Sequence, residues 1–377
     1  MQRHPRSPVM DHCPMTLPAH AYYDAGWYQQ EMRTIWAKNW VWAGRLADLK
    51  PGSMRRVQVG EASVILCRTP EGAVSAFHNV CRHRGAEICA VPEQPMGGLV
   101  TCRYHSWAYA AADGRLVAVG QANPTADFDR AGHGLVQVAL RIWGGFIWLN
   151  LDPEAGDLQP DTGLDALDNW PMDRLLTGHR AVTEVAGNWK ILWENYNECL
   201  HCAHIHPELS ALVPIYKQGV MAQNEAWGWT PEAEVPPAMR PGAASWTATG
   251  EVCGPEFVGL TAAERAAGYL FVTLYPTVFI VAHVDYLRAV VFEPLGPERT
   301  RVTAEWYFAP ETLDQSGFVA GCVAEFAKLV LAQDAAAVEM NQRGLRSPAF
   351  TGGVLMPEEY AVHQFDQWVV SQMGVGP

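Results

Sequence analysis

Two short loops limit what this chain can become. Cys81-Arg82-His83-Arg84-Gly85 is followed, with eighteen residues between His83 and Cys102, by Cys102-Arg103-Tyr104-His105-Ser106-Trp107. Each loop offers one thiolate and one imidazole, so Cys81, His83, Cys102 and His105 form a four-ligand set. That set suits a tetrahedral zinc ion. It also suits a [2Fe-2S] cluster with two thiolates on one iron and two imidazoles on the other. The ligand types alone do not choose between them. The flanking runs Val57–Val59, Ser63–Leu66 and Val74–Phe77 are separated by turn residues, as in a small all-β unit. Ile142–Leu151 reads as one or two apolar strands broken at Gly144 and Gly145, and the turn-rich Asp152–Asp157 then marks a domain boundary.

A second cluster follows that boundary. Trp189, Leu192, Trp193, Tyr196, Leu200 and Ala203 recur at helical spacing, with Asn188 as the N-cap. The same helix carries Glu198 and His201 three apart, then His204 and His206. So many metal-binding side chains on a core-packing helix point to ligation. On an ideal helix His204 would share a face with His201. Pro207, however, pushes His206 out of helical conformation and lets it curl back. Phe318–Arg343 reads as a long helix with Cys322, Phe326, Leu329, Val330 and Val338 as its buried stripe. Asp334 is four residues from both Val330 and Val338, and an acid on a buried stripe needs a strong partner.

The rest of the chain sets bounds. At 377 residues it has room for two domains, and a formal charge of -13 excludes a nucleic-acid binder. No apolar run spans a bilayer and the start lacks a secretory h-region, so a cytoplasmic protein is expected. Nine irregularly spaced cysteines suggest a reducing compartment, with cysteines as ligands or buried hydrophobes rather than a disulfide framework. Residues 1–20 read as poorly ordered, and Ala25–Lys38 as a helix. Leu270–Tyr275, Val278–Ala282, Arg288–Phe292 and Arg301–Ala309 read as strands of a twisted antiparallel sheet covered by helices, and Glu358–Gln372 as a last helix.

The two loops, with Tyr109 and Asp113-Gly114-Arg115-Leu116, closely resemble the Rieske motif of Rieske non-haem iron oxygenase α subunits. Arg103 and Ser106 stand where that family commonly has proline and glycine. The resemblance implies a [2Fe-2S] cluster and an α+β architecture. Residues 1–39 would be an N-terminal segment packing with the catalytic domain, 40–155 a small all-β Rieske domain, and 156–377 a catalytic domain of the helix-grip type. Asn195-x2-Glu198-x2-His201-x4-His206 is similar to the family's mononuclear-iron signature, with glutamate for the usual aspartate. On that match His201 and His206 are Fe(II) ligands. Gln333-Asp334-x4-Glu339-x2-Gln342 resembles the third-ligand segment, which gives Asp334, with Glu339 in reserve.

For function, the resemblance implies a homotrimer, or a multiple of it, in which Glu198 joins a cluster histidine of one subunit to an iron histidine of the next. It also implies a separate flavin and iron-sulfur reductase that draws on NAD(P)H. The chain shows no Gly-x-Gly-x2-Gly after a strand, so the nicotinamide site belongs to that partner. Glutamate within Glu-Cys-x-His-Cys is similar to the branch acting on quaternary ammonium compounds such as glycine betaine, carnitine, choline and proline betaine. Hydroxylation of an N-methyl carbon with O2 would release formaldehyde. Trp227, Trp229, Trp246, Tyr269 and Phe271 are candidates for an aromatic cage around such a cation. The alternatives are an aromatic-ring hydroxylating oxygenase, a Rieske electron carrier without oxygen chemistry, and a zinc structural protein.

Overall fold

The computed structural model describes residues 7–158, 163–226, 229–230, 232 and 238–374. The chain divides into two compact units. One takes residues 36–161 with 275–277, the other residues 1–35, 162–274 and 278–377.

An N-terminal helix, α1 (Ala25–Glu31), continues as a wider turn over Met32–Trp36 rather than as one regular helix to Lys38. Its Asp24 N-cap accepts from the Trp27 backbone N–H at 2.8 Å. The segment before it is not loose from residue 10 onward. Met10 N–H donates to Pro357, Thr16 N–H donates to Gly353, Leu355 N–H donates to Pro14, and Leu17 is buried. Backbone pairing with a distant segment, invisible to local composition, corrects the expectation of disorder there.

The smaller unit is built from short antiparallel strands in three sheets. The first pairs β1 (Val41–Arg45), β10 (Phe146–Asn150) and β9 (Ala139–Trp143). The second, in order, is β4 (Val74–His78), β3 (Ala62–Arg68), β2 (Ser53–Val59) and β5 (Glu93–Pro95). The third is β6 (Leu99–Thr101), β7 (Trp107–Ala110) and β8 (Leu116–Val119). One core packs Ile65, Phe77, Ile88, Val100, Tyr109 and Leu116 against Cys81 and Cys102. The two ligand loops are therefore the lid of a hydrophobic core.

The larger unit holds a five-stranded antiparallel sheet: β11 (Leu176–Val185), β15 (Arg299–Phe308), β14 (Tyr286–Gly296), β13 (Val278–His283) and β12 (Tyr269–Leu274). Register pairs Phe271 with Val281, Val281 with Arg288, Arg288 with Trp306, and Trp306 with His179. Residues paired across strands share a face. Against the sheet lies α7 (Ala320–Leu345), which also packs on α2 (Trp189–Tyr196), and α8 (Tyr360–Met373) packs on α2. The stripe of α7 differs from the sequence reading: Cys322 and Leu329 are exposed, and Ala327, Val330, Asp334, Val338 and Gln342 face inward. Small alanines let the helix approach the sheet, which rotates the stripe.

The larger unit is pinned by a charge pair. Lys190 and Glu31 are both fully buried and joined. Glu31 also accepts from Trp27 and Trp189 Nε1, both at 2.9 Å, and Lys190 Nζ donates to Asn188 at 2.8 Å. Removing one partner leaves an uncompensated buried charge. Lys190→Met should therefore lower stability to urea by about 3–5 kcal/mol, and the Glu31→Gln/Lys190→Met pair should recover much of that loss.

Candidate iron centres

Cys81 and Cys102 are buried, whereas His83 is exposed and His105 partly so. The imidazole rings approach to 4.7 Å between centroids, and His83 stacks on Trp107 at 4.8 Å. Tyr109 Oη lies 3.2 Å from Cys81 Sγ and accepts from the Arg82 backbone N–H. Burial pushes the Cys102 thiol up, and a bound metal's charge would favour its thiolate. Two sulfurs at one end and two imidazoles at the other fit a two-metal cluster.

The second loop turns on Ser106, at φ +56° the one non-glycine residue of positive φ among those described. That is the position where the resembled motif commonly carries glycine. Gly120 sits against the same turn at φ +66°, and a Cβ there would lie 2.3 Å from the His105 carbonyl oxygen. The turn thus depends on a residue without a side chain at 120 and tolerates one at 106 at a cost.

In the larger unit the expected single helix is broken. α2 ends at Tyr196 and Asn197 leaves helical conformation. Two short helices, α3 (Cys202–Ile205) and α4 (Pro207–Leu212), follow. The Glu198 carboxylate causes the break by accepting from the Leu200 and His201 backbone N–H groups, replacing helical bonds with a turn. Leu200 is consequently exposed rather than buried. A second correction concerns the cysteines: Cys199 and Cys202 form a disulfide, with Cα atoms 4.9 Å apart. Three-residue spacing around this turn puts both side chains on one side, within bonding range. The other seven cysteines are free.

The turn brings together ligands that the sequence separates. His206, at φ -122°, lies between α3 and α4 and is buried. Its Nε2 is 2.8 Å from Asp334 Oδ1, and its Nδ1 is 2.8 Å from Gln333 Oε1. His201 Nε2 is 3.7 Å from the same Asp334 oxygen, while His201 Nδ1 donates to Glu198. One donor atom from each of His201, His206 and Asp334 falls within 4.8 Å of the others. His204 is exposed, and Glu339 instead accepts from the Ala186 backbone N–H. Burial disfavours the His206 imidazolium, yet the bond to Asp334, with its charge and that of Glu208, holds the ring above its ordinary value. Tyr196 Oη and Asn195 Oδ1 beside the group are buried without a hydrogen-bond partner.

Two imidazoles and a carboxylate, with each outward-facing ring nitrogen bonded to an oxygen acceptor, match the two-histidine, one-carboxylate donor set of non-haem Fe(II) sites. The group opens into a cavity whose wall includes Tyr196, Tyr216, Trp246, Phe271, Phe279 and Arg288. Trp246 packs on Tyr269 at 4.9 Å and on Phe271 at 5.9 Å. Of the cage candidates, Trp246 and Phe271 line the cavity, Tyr269 stands behind them, Trp229 does not line it, and Trp227 lies outside the described residues. Sequence reasoning missed Tyr196, Gln333 and Arg288, which look like core or surface residues until the sheet and α7 converge.

Residues 172–375 match the family described as ring hydroxylating alpha subunit (catalytic domain), and residues 39–129 match the Rieske [2Fe-2S] domain. The glycine betaine monooxygenase oxygenase subunit of Chromohalobacter salexigens is 30% identical over 95% of this chain and 86% of its own. The chloroplastic choline monooxygenase of Spinacia oleracea is 28% identical over 94% of this chain and 77% of its own. The crystal structure of the quaternary ammonium Rieske monooxygenase CntA with L-carnitine superposes with a TM-score of 0.70 at 18% identity, covering 99% of both chains. Among the described residues no helix is long and apolar enough to cross a membrane. Ser106→Gly should raise stability by about 0.5–1 kcal/mol, read as an upward shift in the thermal loss of visible cluster absorbance.

Proposed function

The chain belongs to the family of Rieske non-haem iron oxygenase α subunits, and we propose that it hydroxylates an N-methyl carbon of a small quaternary ammonium compound. The observation that carries this reading is the convergence of His201, His206 and Asp334 on a cavity walled by aromatic rings. Aromatic faces attract a desolvated cation, and a quaternary ammonium has no hydrogen-bond donors for a polar pocket to satisfy. Relatives named for glycine betaine, choline and carnitine support the same class.

On this reading Cys81, His83, Cys102 and His105 hold the cluster, and His201, His206 and Asp334 hold the mononuclear iron. When bound, the cluster supplies single electrons and the Fe(II) centre activates dioxygen. The protein's own part is positioning. Gln333 and Glu198 fix the two imidazoles through Nδ1, leaving each Nε2 toward Asp334. Trp246 and Phe271 hold the ammonium and keep water out. One oxygen atom enters the N–CH3 carbon and the other leaves as water, using two electrons and two protons. The N–CH2OH product then loses its hydroxyl proton and breaks its C–N bond, giving formaldehyde and a demethylated amine.

On the same reading the electrons come from NAD(P)H through a separate flavin and iron-sulfur reductase, and the protein works in the cytoplasm. Glu198 would link the iron ligand His201 to a cluster histidine of the partner subunit, within a trimer or a multiple of it. The exposure of His83 supports a cluster that faces another chain.

Reconstituted with a reductase, the holoenzyme should couple NADH and oxygen consumption to formaldehyde release on a panel of betaines and choline. Turnover of an arene to a cis-diol, with silence on that panel, would overturn the reading. His206→Ala and Asp334→Ala should each lose the one iron beyond the cluster's pair and keep the cluster absorbance. His204→Ala should keep both, as read by iron and acid-labile sulfide.

A further inference from the structure

We propose that Arg288 is a carboxylate anchor, so that the cavity selects a zwitterion, a quaternary ammonium joined to a carboxylate, over the corresponding amino alcohol. The ammonium half rests on the function proposed above; the anion half stands on Arg288 alone.

Arg288 lies on β14 with 3% of its surface exposed, and it lines the same cavity as His201, His206 and Asp334. A guanidinium stays charged at any pH a protein meets. Its Nε is buried with no hydrogen-bond partner, and among the described residues it forms no ion pair. Its cross-strand neighbours are Val281 and Trp306, neither of which can balance a charge. Its guanidinium lies over the Trp246 ring, 5.9 Å from Cζ to centroid.

Among the described residues no titratable group around it is bonded to the guanidinium. His283 has neither ring nitrogen bonded, and burial, reinforced by the Arg288 charge, holds it well below its ordinary value, so it is neutral. Burial raises Tyr196, Tyr216 and Tyr286, which keep their protons. The two carboxylates on the cavity wall are engaged elsewhere, Asp334 with His206 and Glu198 with His201. Asp285 nearby accepts from Ser245 Oγ and the Cys253 backbone N–H, both at 2.6 Å.

A buried cation without a counter-ion is costly, and natural proteins pair such charges. Here the unpaired charge faces a cavity that must also accept a cation. An ammonium alone would meet repulsion at low dielectric from Arg288. A ligand with its own carboxylate removes both problems: the anion pairs with Arg288, and the ammonium keeps the aromatic wall. The planar guanidinium also matches a carboxylate with two parallel hydrogen bonds, which a hydroxyl cannot accept.

Four ligands separate the two halves of the idea: glycine betaine, choline, and their carbon analogues 3,3-dimethylbutyrate and 3,3-dimethylbutanol, in which carbon replaces nitrogen and the ammonium charge alone is removed. Calorimetric titration into the holoenzyme should show each carboxylate binding at least about 10-fold tighter than its matching alcohol. Arg288→Gln should weaken both carboxylates by about 100-fold while leaving the alcohols nearly unchanged. Cluster absorbance and iron content report whether that variant is intact, and the wild-type comparison decides the matter if it is not. No carboxylate advantage in the wild type, including failure of both to bind, overturns the proposal. So does an advantage that survives in an intact Arg288→Gln. Equal binding of glycine betaine and 3,3-dimethylbutyrate would leave the anion site standing and defeat the ammonium reading instead.

Discussion

Asp334 is a carboxylate on the inward stripe of a long helix, and the larger unit is arranged to answer its charge. α7 can bury that stripe only because alanines flank it and because two imidazoles arrive at the acid. Those imidazoles come from the stretch after α2, which for that reason cannot be a continuous helix. Glu198 breaks it at one end and Pro207 resets it at the other. The result is a rigid helix presenting an acid and a broken one presenting two bases. A divalent cation can take the place of the proton that joins His206 to Asp334.

Much of this was legible in the residues. The ligand loops, the antiparallel sheet and the long helix follow from spacing and alternation, and the observed strands differ from those read by a few residues at their ends. The α+β fold expected from the resemblance is the one observed. Asp334 stood out because a charged residue interrupted an apolar stripe. His206 was preferred to His204 on the spacing of the resembled motif, with Pro207 as the physical reason it can curl back. The first is a local signal, whereas the second needed the resemblance.

What was not legible depended on distant partners. Residues 10–17 looked loose because their hydrogen bonds go to residues 353–357. The Cys199–Cys202 disulfide depended on the helix ending early, which depended on a glutamate bonding backward to its own turn. The stripe of α7 was rotated by its neighbours, which a period of apolar residues cannot report. Ser106 shows the reverse case: a departure from the glycine common in the resembled motif leaves the left-handed turn in place and adds strain to it.

Arg288 ties these strands of argument together. In sequence it opens a run of apolar residues and reads as the polar end of a strand. Register shows otherwise, because pairing with Val281 and Trp306 turns it to the face that carries Phe271 and Phe279. The overall charge of -13 does not reach it, since bulk acidity is screened by solvent and this group is enclosed. The cavity is therefore a place where an acidic protein has gathered aromatic faces, a metal-binding triad and one guanidinium with no bonded counter-ion. An enclosed cation can be balanced only by what enters the cavity, so the substrate's own anion becomes part of the fold's electrostatics.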